Sequence, residues 1–335
     1  MKRVWILCIA LVMVLVLALP VVASASAPAA GDATLAGSLG VKGGAGDNCG
    51  GGDEETGWPG WQATTGVLGE QVSGNRYAIV VGISDYPGDA HVLHGGMDLS
   101  YADDDAVMMT QLLEGVYGFD SVCTLLDTDA TQARIMSEIA ALKQTVTRDD
   151  EVVLYFSGHG FQWAPPWTFL PGWGQVGVIT WGDDPYGLGY LLDRDLKHAF
   201  NGFKTKRIVF IFDCCYSGGM SDLGRMGRVV CMSTTPRGLS AEVGEDYVAM
   251  FPDVPEEMKQ WLMSINHGLF TYFFGGALAG PAYGDFSADF NGDSLVTVEE
   301  AFDFAKALLV EMSLAFDQLE QTPTIWDRFW NDLLL

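Results

Sequence analysis

The sequence predicts an α/β fold with a mostly parallel central sheet and helices on both faces. Three observations carry this. Two five-residue apolar runs, Val152–Phe156 and Ile208–Phe212, read as strands buried on both sides. Segments of helical periodicity alternate with runs of this kind, and strands joined through helices pair in parallel. Each of the two runs gives way at once to a polar, glycine-containing motif, where the chain leaves the sheet.

The elements follow in order. Tyr77–Ile83 is an apolar strand, and Asp103–Leu113 is a helix with acidic residues in its first turn, where they complement the helix dipole. Ser121–Leu126 is a short strand. Thr131–Val146 is an amphipathic helix with Ile135, Ile139 and Leu142 on one face. Val152–Phe156 follows, then a Trp-, Gly- and Pro-rich loop over Phe161–Gly189 and a short helix near Asp195–Phe200. After Ile208–Phe212 come a strand at Val229–Ser233, a helix at Asn266–Leu278, and a last helix at Val298–Phe316 ahead of an aromatic tail.

The first 73 residues stand apart. Lys2 and Arg3 precede the apolar run Val4–Val22, and Ala23-Ser24-Ala25 offers a small-residue cleavage site, so residues 1–25 are expected to be a signal peptide. If retained, the same run would serve as a membrane anchor. Either outcome puts the chain outside the cytoplasm. Residues 26–73 read as a Gly/Ala-rich linker or pro-segment without periodicity, and residues 74–335 as the folded unit.

The chain has 335 residues, 43 acidic against 18 basic side chains, and a net charge of −25. Nucleic acid is an unsuitable partner for that balance, whereas calcium and basic peptides suit it. Nothing in the sequence calls for an organic cofactor. Six cysteines become five once Cys8 leaves with the signal, and an odd number in an exported chain points to a free thiol.

That thiol has a candidate partner. Ser157-Gly158-His159-Gly160 ends one apolar run and Asp213-Cys214-Cys215-Tyr216-Ser217-Gly218 ends the other. Ligands in open α/β sheets sit beyond the carboxyl ends of the strands. A thiol attacks a carbonyl only as thiolate and needs a base beside it, which His159 can supply. The backbone N–H groups of Gly160 and Cys215 are the natural donors for an oxyanion. His91, His94, His198 and His267 show no zinc spacing and read as surface or core histidines.

These two motifs, at this spacing, resemble the caspase-like clan of cysteine peptidases, and within it the metacaspases and bacterial caspase homologues of peptidase family C14. The resemblance covers most of residues 76–335 and implies the caspase-like (caspase-hemoglobinase) fold. It carries Cys215, not Cys214, into the nucleophile position and His159 into that of the base. Two departures stand: animal caspases have Gln-Ala-Cys-Arg-Gly here, and metacaspases usually have His where Tyr216 sits. The first argues against the Asp-cleaving animal branch.

The stretch Leu99–Ala106 resembles the metacaspase segment that ends in Asp-Ala after the first strand. This register implies Asp105 as one specificity carboxylate and Asp213 as the other. Two carboxylates suit a guanidinium, so peptide or protein substrates with Arg, then Lys, at P1 are expected. The same preference makes Lys204, Lys206, Arg207, Arg225 and Arg228 candidate self-processing sites, with Arg225 and Arg228 foremost.

Asp289–Glu300 follows the EF-hand spacing, with Asp289, Asn291, Asp293, the Leu295 carbonyl, Thr297 and Glu300 as expected calcium ligands. Ser294 departs from the glycine that the sharp turn prefers. The resemblance suggests a second, activating calcium site from Asp183, Asp184 and Asp222, which read more simply as acidic loop residues. Two rival readings stay open. One is a legumain-like, Asn-directed peptidase of the same clan, against which Asp213 counts, because that branch has Glu there. The other is an inactive caspase-like calcium-binding scaffold.

Overall fold

The structure, a computed structural model, describes residues 63–87, 98–163, 175–243, 248, 254–280, 288–315 and 321–335. The proposed signal peptide and most of the linker lie outside the described residues, as do His91 and His94.

Six strands form the central sheet: β1 (Arg76–Gly82), β2 (Ser121–Leu126), β3 (Glu151–Ser157), β7 (Ile208–Asp213), β8 (Arg228–Met232) and β9 (Thr324–Asp327). Their order is β2-β1-β3-β7-β8-β9, parallel throughout except for β9, which runs antiparallel to β8. The central strands β3 and β7 are buried over their whole length, because helices cover both faces.

Alternate residues of the strands feed two cores. Val80, Val153, Tyr155, Val209 and Ile211 face helices α1 (Ala102–Gly115), α4 (Glu256–Met263), α5 (Leu269–Ala279) and α6 (Val298–Ala315). Leu154, Phe156, Phe210 and Phe212 face α2 (Gln132–Thr145) and α3 (Asp193–Ala199). Each fully buried Phe contributes about 1.5–3 kcal/mol through the area it removes from water. The mostly parallel, two-faced α/β architecture expected from the sequence is present.

The segment expected to be a loop differs. It holds an antiparallel sheet of β4 (Gly160–Trp163), β5 (Gln175–Trp181) and β6 (Leu188–Leu192). Glycines hide its alternation. A side chain at Gly177 would meet the Phe161 ring at 2.7 Å, so the cross-strand aromatic occupies the place of the missing side chain.

Residues 63–73, which composition assigns to the linker, pack on the tail of the chain. Asp332 accepts hydrogen bonds from Thr64 Oγ1, Thr65 N and Gly66 N. Arg207 pairs with the buried Glu151, donates to the carbonyls of Glu70 and Leu334, and lies 4.8 Å from the centre of the Phe329 ring. No described helix is long and apolar enough to cross a membrane.

Candidate active site

The site begins with one strand register. Ser157 and Asp213 are partners across the β3–β7 ladder. Both strands end there, and two residues further along each chain stand His159 and Cys215. The two turns are interlocked. Gly158 N donates to the Asp213 carbonyl at 3.3 Å, and a side chain at Gly160 would overlap the Cys215 carbonyl. The glycine after the histidine is therefore what lets the motifs meet.

Strand alternation gives the two cysteines different surroundings. Cys214 turns back into the core beside Phe212 and is 2% exposed, with burial pushing its thiol far up. Cys215 is partly exposed, and its thiol donates to the Ser240 carbonyl at 3.8 Å. Burial, opposed in part by main-chain hydrogen bonding, raises the Cys215 thiol above its ordinary value, and the nearby Asp213 adds to that. A thiol raised in this way rests protonated, and would need a base beside it to act as a nucleophile. The next residue, Tyr216, adopts φ +61° and donates its N–H to the Gly238 carbonyl at 2.9 Å. This left-handed turn after the cysteine costs about 1–2 kcal/mol for a non-glycine residue.

His159 is placed by Tyr86, a residue that no sequence motif marks. The fully buried Tyr86 hydroxyl accepts from His159 N at 2.8 Å, and the two rings lie 4.9 Å apart at a tilt. The His159 carbonyl accepts from Ile179 N at 2.9 Å, so β5 holds the histidine's backbone as well.

One ladder row back, on the α1/α5 face, the two carboxylates converge. Of Asp103, Asp104 and Asp105, it is Asp105 that is buried, at 1% exposure, while Asp213 is at 5%. Asp105 accepts Ser157 Oγ at 2.8 Å, His267 Nδ1 at 2.8 Å, and Gly268 N at 3.1 and 3.3 Å. Asp213 accepts Ser240 Oγ at 2.5 Å, Thr271 N at 2.9 Å and Thr271 Oγ1 at 2.7 Å. Gly268 and Thr271 belong to the start of α5, so a helix N-terminus supplies donors to both acids.

Gly268 lies between the two carboxylates: a methyl group there would come 2.5 Å from Asp213 Oδ2 and 2.9 Å from Asp105 Oδ2. Burial raises both acids. Asp105 is pushed to about 7, with Asp213 adding to the shift while His267 and Ser157 oppose it. Glu242, half-buried and also raised by burial, adds a third acid near Asp213 and accepts Ser100 N. His267, Ser240 and Glu242 carry no motif; only the fold brings them here.

The other expected ligands are less gathered. Asp289 accepts Gly292 N, Asp293 N and Ser294 N at 2.8–3.1 Å, and Asn291 Nδ2 donates to Asp293 at 3.2 Å. Ser294 sits at φ +68°, the conformation for which the loop prefers glycine. Thr297 N and Oγ1 donate to Glu300 Oε2, while Glu300 Oε1 is buried with no partner among the described residues. No group of three or more His, Cys, Asp or Glu side chains gathers as a metal cage among the described residues. Asp184 caps its own turn through Tyr186 N and Leu188 N, and Asp222 pairs with Lys197 at 3.3 Å.

Of the basic residues flanking β7, Arg228 is buried and donates to the carbonyls of Leu223 and Phe200, which withdraws it as a processing site. Arg225 is exposed, and its guanidinium donates to Asn201 Oδ1 at 2.8 Å.

Among solved structures, the chain is similar to protein GSU0716 from Geobacter sulfurreducens, at 16% identity and a TM-score of 0.48, over 76% of this chain and 93% of that one. No curated protein matches. The caspase domain model of peptidase family C14 matches residues 75–328. That span takes in every strand of the central sheet, both motifs and both buried carboxylates, and the chain therefore belongs to the caspase-domain peptidases of family C14.

Proposed function

We propose that the protein is a secreted cysteine endopeptidase that cleaves after arginine, and less readily after lysine, with Cys215 as nucleophile and His159 as base. The observation that carries this reading is the order of the β3–β7 strand ends: a row with buried carboxylates, then the His and the Cys. A cationic side chain held at the first row leaves its own carbonyl at the second.

The chemistry follows from the side chains. His159 removes the Cys215 proton as sulfur attacks the carbonyl carbon. A C–S bond forms, and the carbonyl π pair moves onto oxygen, to be received by the N–H groups of Gly160 and Cys215. Collapse breaks the C–N bond, and the leaving amine takes the proton from the imidazolium. Water, deprotonated by His159, then hydrolyses the thioester and restores the thiol. Burial and Asp213 raise the thiol, which supports a base as part of the reaction.

Calcium is proposed as a weak structural ligand of the Asp289–Glu300 loop. The unpartnered, buried Glu300 Oε1 and the left-handed Ser294 support it. Self-cleavage, where it occurs, is proposed at the exposed Arg225. Export rests on the N-terminal sequence alone.

A peptide with P1 arginine and a thiol-reactive carbonyl terminus tests the site. It is expected to label Cys215 and spare Cys214, and to label more slowly after His159→Ala. Equal labelling of both cysteines, or none at Cys215 in folded protein, would contradict the assignment.

A further inference from the structure

Asp105 has no free face. Its oxygens accept four contacts, from Ser157 Oγ, His267 Nδ1 and, to both oxygens, Gly268 N. Ser157 Oγ and Gly268 N donate to it, and His267 Nδ1 fills the remaining position. A substrate cation must therefore take the place of one of them.

Three of the contacts come from parts of the fold that cannot withdraw. Ser157 is buried at the end of a central strand. Gly268 is locked by the Leu269 N to Ala241 O bond, by its bridge to Glu242, and by Tyr272 N, which donates to its carbonyl. His267 differs. It lies outside regular structure, follows Asn266 at φ +51°, and keeps 22% of its side chain exposed, stacked loosely on Tyr272 at 6.5 Å. Its ring turns on two side-chain torsions and is the partner of Asp105 that borders solvent, while its carbonyl stays on Val243 N at 3.5 Å.

We infer that His267 is a specificity-determining residue: it occupies the Asp105 carboxylate in the free enzyme and is displaced by the guanidinium of a P1 arginine. This rests on the P1-arginine reading above and deepens it. In the absence of substrate the imidazole satisfies a buried acid that would otherwise be exposed to any cation. On binding, a bidentate guanidinium recovers the lost hydrogen bond and adds a charge. An apolar P1 side chain recovers neither, so the exchange discriminates against it.

The experiment uses the full chain carrying Cys215→Ala, with two peptides that differ only in P1, arginine or norleucine. The Nδ1 proton of His267, assigned by its loss in His267→Asn, is followed by NMR while peptide affinity is measured by calorimetry. The arginine peptide is expected to abolish or shift that resonance, and the norleucine peptide to leave it in place. Removing the competitor in His267→Ala is expected to tighten arginine binding by about two- to tenfold, the size of one net hydrogen bond. His267→Asn, which keeps a donor, stays closer to the starting value and serves if the alanine variant fails to fold. A resonance that persists while the arginine peptide binds tightly would overturn the role of His267 and leave the pocket reading intact. Arginine binding no tighter than norleucine binding would overturn the pocket reading, and this inference with it.

Discussion

Ser157 and Asp213 face each other across the β3–β7 ladder, and this pairing fixes the site. Because side chains alternate, a slip of one residue would send Asp213 to the α2/α3 face and Cys215 away from His159. The buried aliphatic and aromatic residues of both strands specify the register, so packing and chemistry depend on the same residues.

The proposed roles of the two adjacent cysteines predict different variants. Cys215→Ala is expected to lower kcat by roughly three orders of magnitude or more with little change in stability. Cys214→Ser places a hydroxyl where the thiol is fully buried, and is expected to cost about 1–3 kcal/mol while leaving the nucleophile in place. Denaturant titration beside active-site titration checks both; an inactive but stable Cys214→Ser would reverse the assignment.

Removing either pocket charge should act on substrate choice. Asp105→Asn and Asp213→Asn are each expected to raise KM for P1-arginine peptides by roughly 10- to 100-fold, the size of a lost charge-assisted hydrogen bond. KM for a P1-norleucine peptide stays near its starting value. A uniform loss across both substrates would place the two acids in the scaffold instead of the pocket.

Stability should fall as pH rises. Burial pushes Asp105 to about 7, Asp327 to about 7 and Asp303 to about 6, all above the ordinary carboxylate range. Between pH 4 and 7 the native state therefore binds more protons than the unfolded chain, and stability decreases through that window. Asp150, lowered by its hydrogen bonds, opposes this only near the acid end, where its contribution is lost as pH falls. Thermal unfolding in chelator is expected to show a higher Tm at pH 5.5 than at pH 8. A Tm that climbs with pH would contradict the burial of these acids.

Calcium should raise Tm at roughly millimolar concentration, as expected for a single extracellular loop. Glu300→Gln is expected to remove the effect. Ser294→Gly relieves the φ of +68° and is expected to tighten binding about fivefold, the equivalent of about 1 kcal/mol. Calorimetry with calcium alone measures both. No heat in any variant would dismiss the site.

The parts of the fold legible in the sequence were those with an unbroken apolar period. Val152–Phe156 and Ile208–Phe212 could only be buried strands, and motifs placed at their ends put His159, Cys215 and Asp213 at one edge. Gly177 and Gly189 interrupt the alternation of β5 and β6, so that sheet was hidden. β9 read as an aromatic tail because four residues carry too little pattern. Only the family register singles out Asp105, since Asp103 and Asp104 look identical to it in sequence. His267 and Tyr86 were invisible, because their roles come from contacts 162 and 73 positions away in the chain.

The most direct test of the central claim is hydrolysis of fluorogenic peptides that differ only at P1 (Arg, Lys, Asn, Asp) by reduced, calcium-supplemented protein, against Cys215→Ala. The account predicts cleavage after arginine, weaker cleavage after lysine, and loss of both in the variant. Cleavage after asparagine, or no cleavage of any peptide by folded protein, would contradict it.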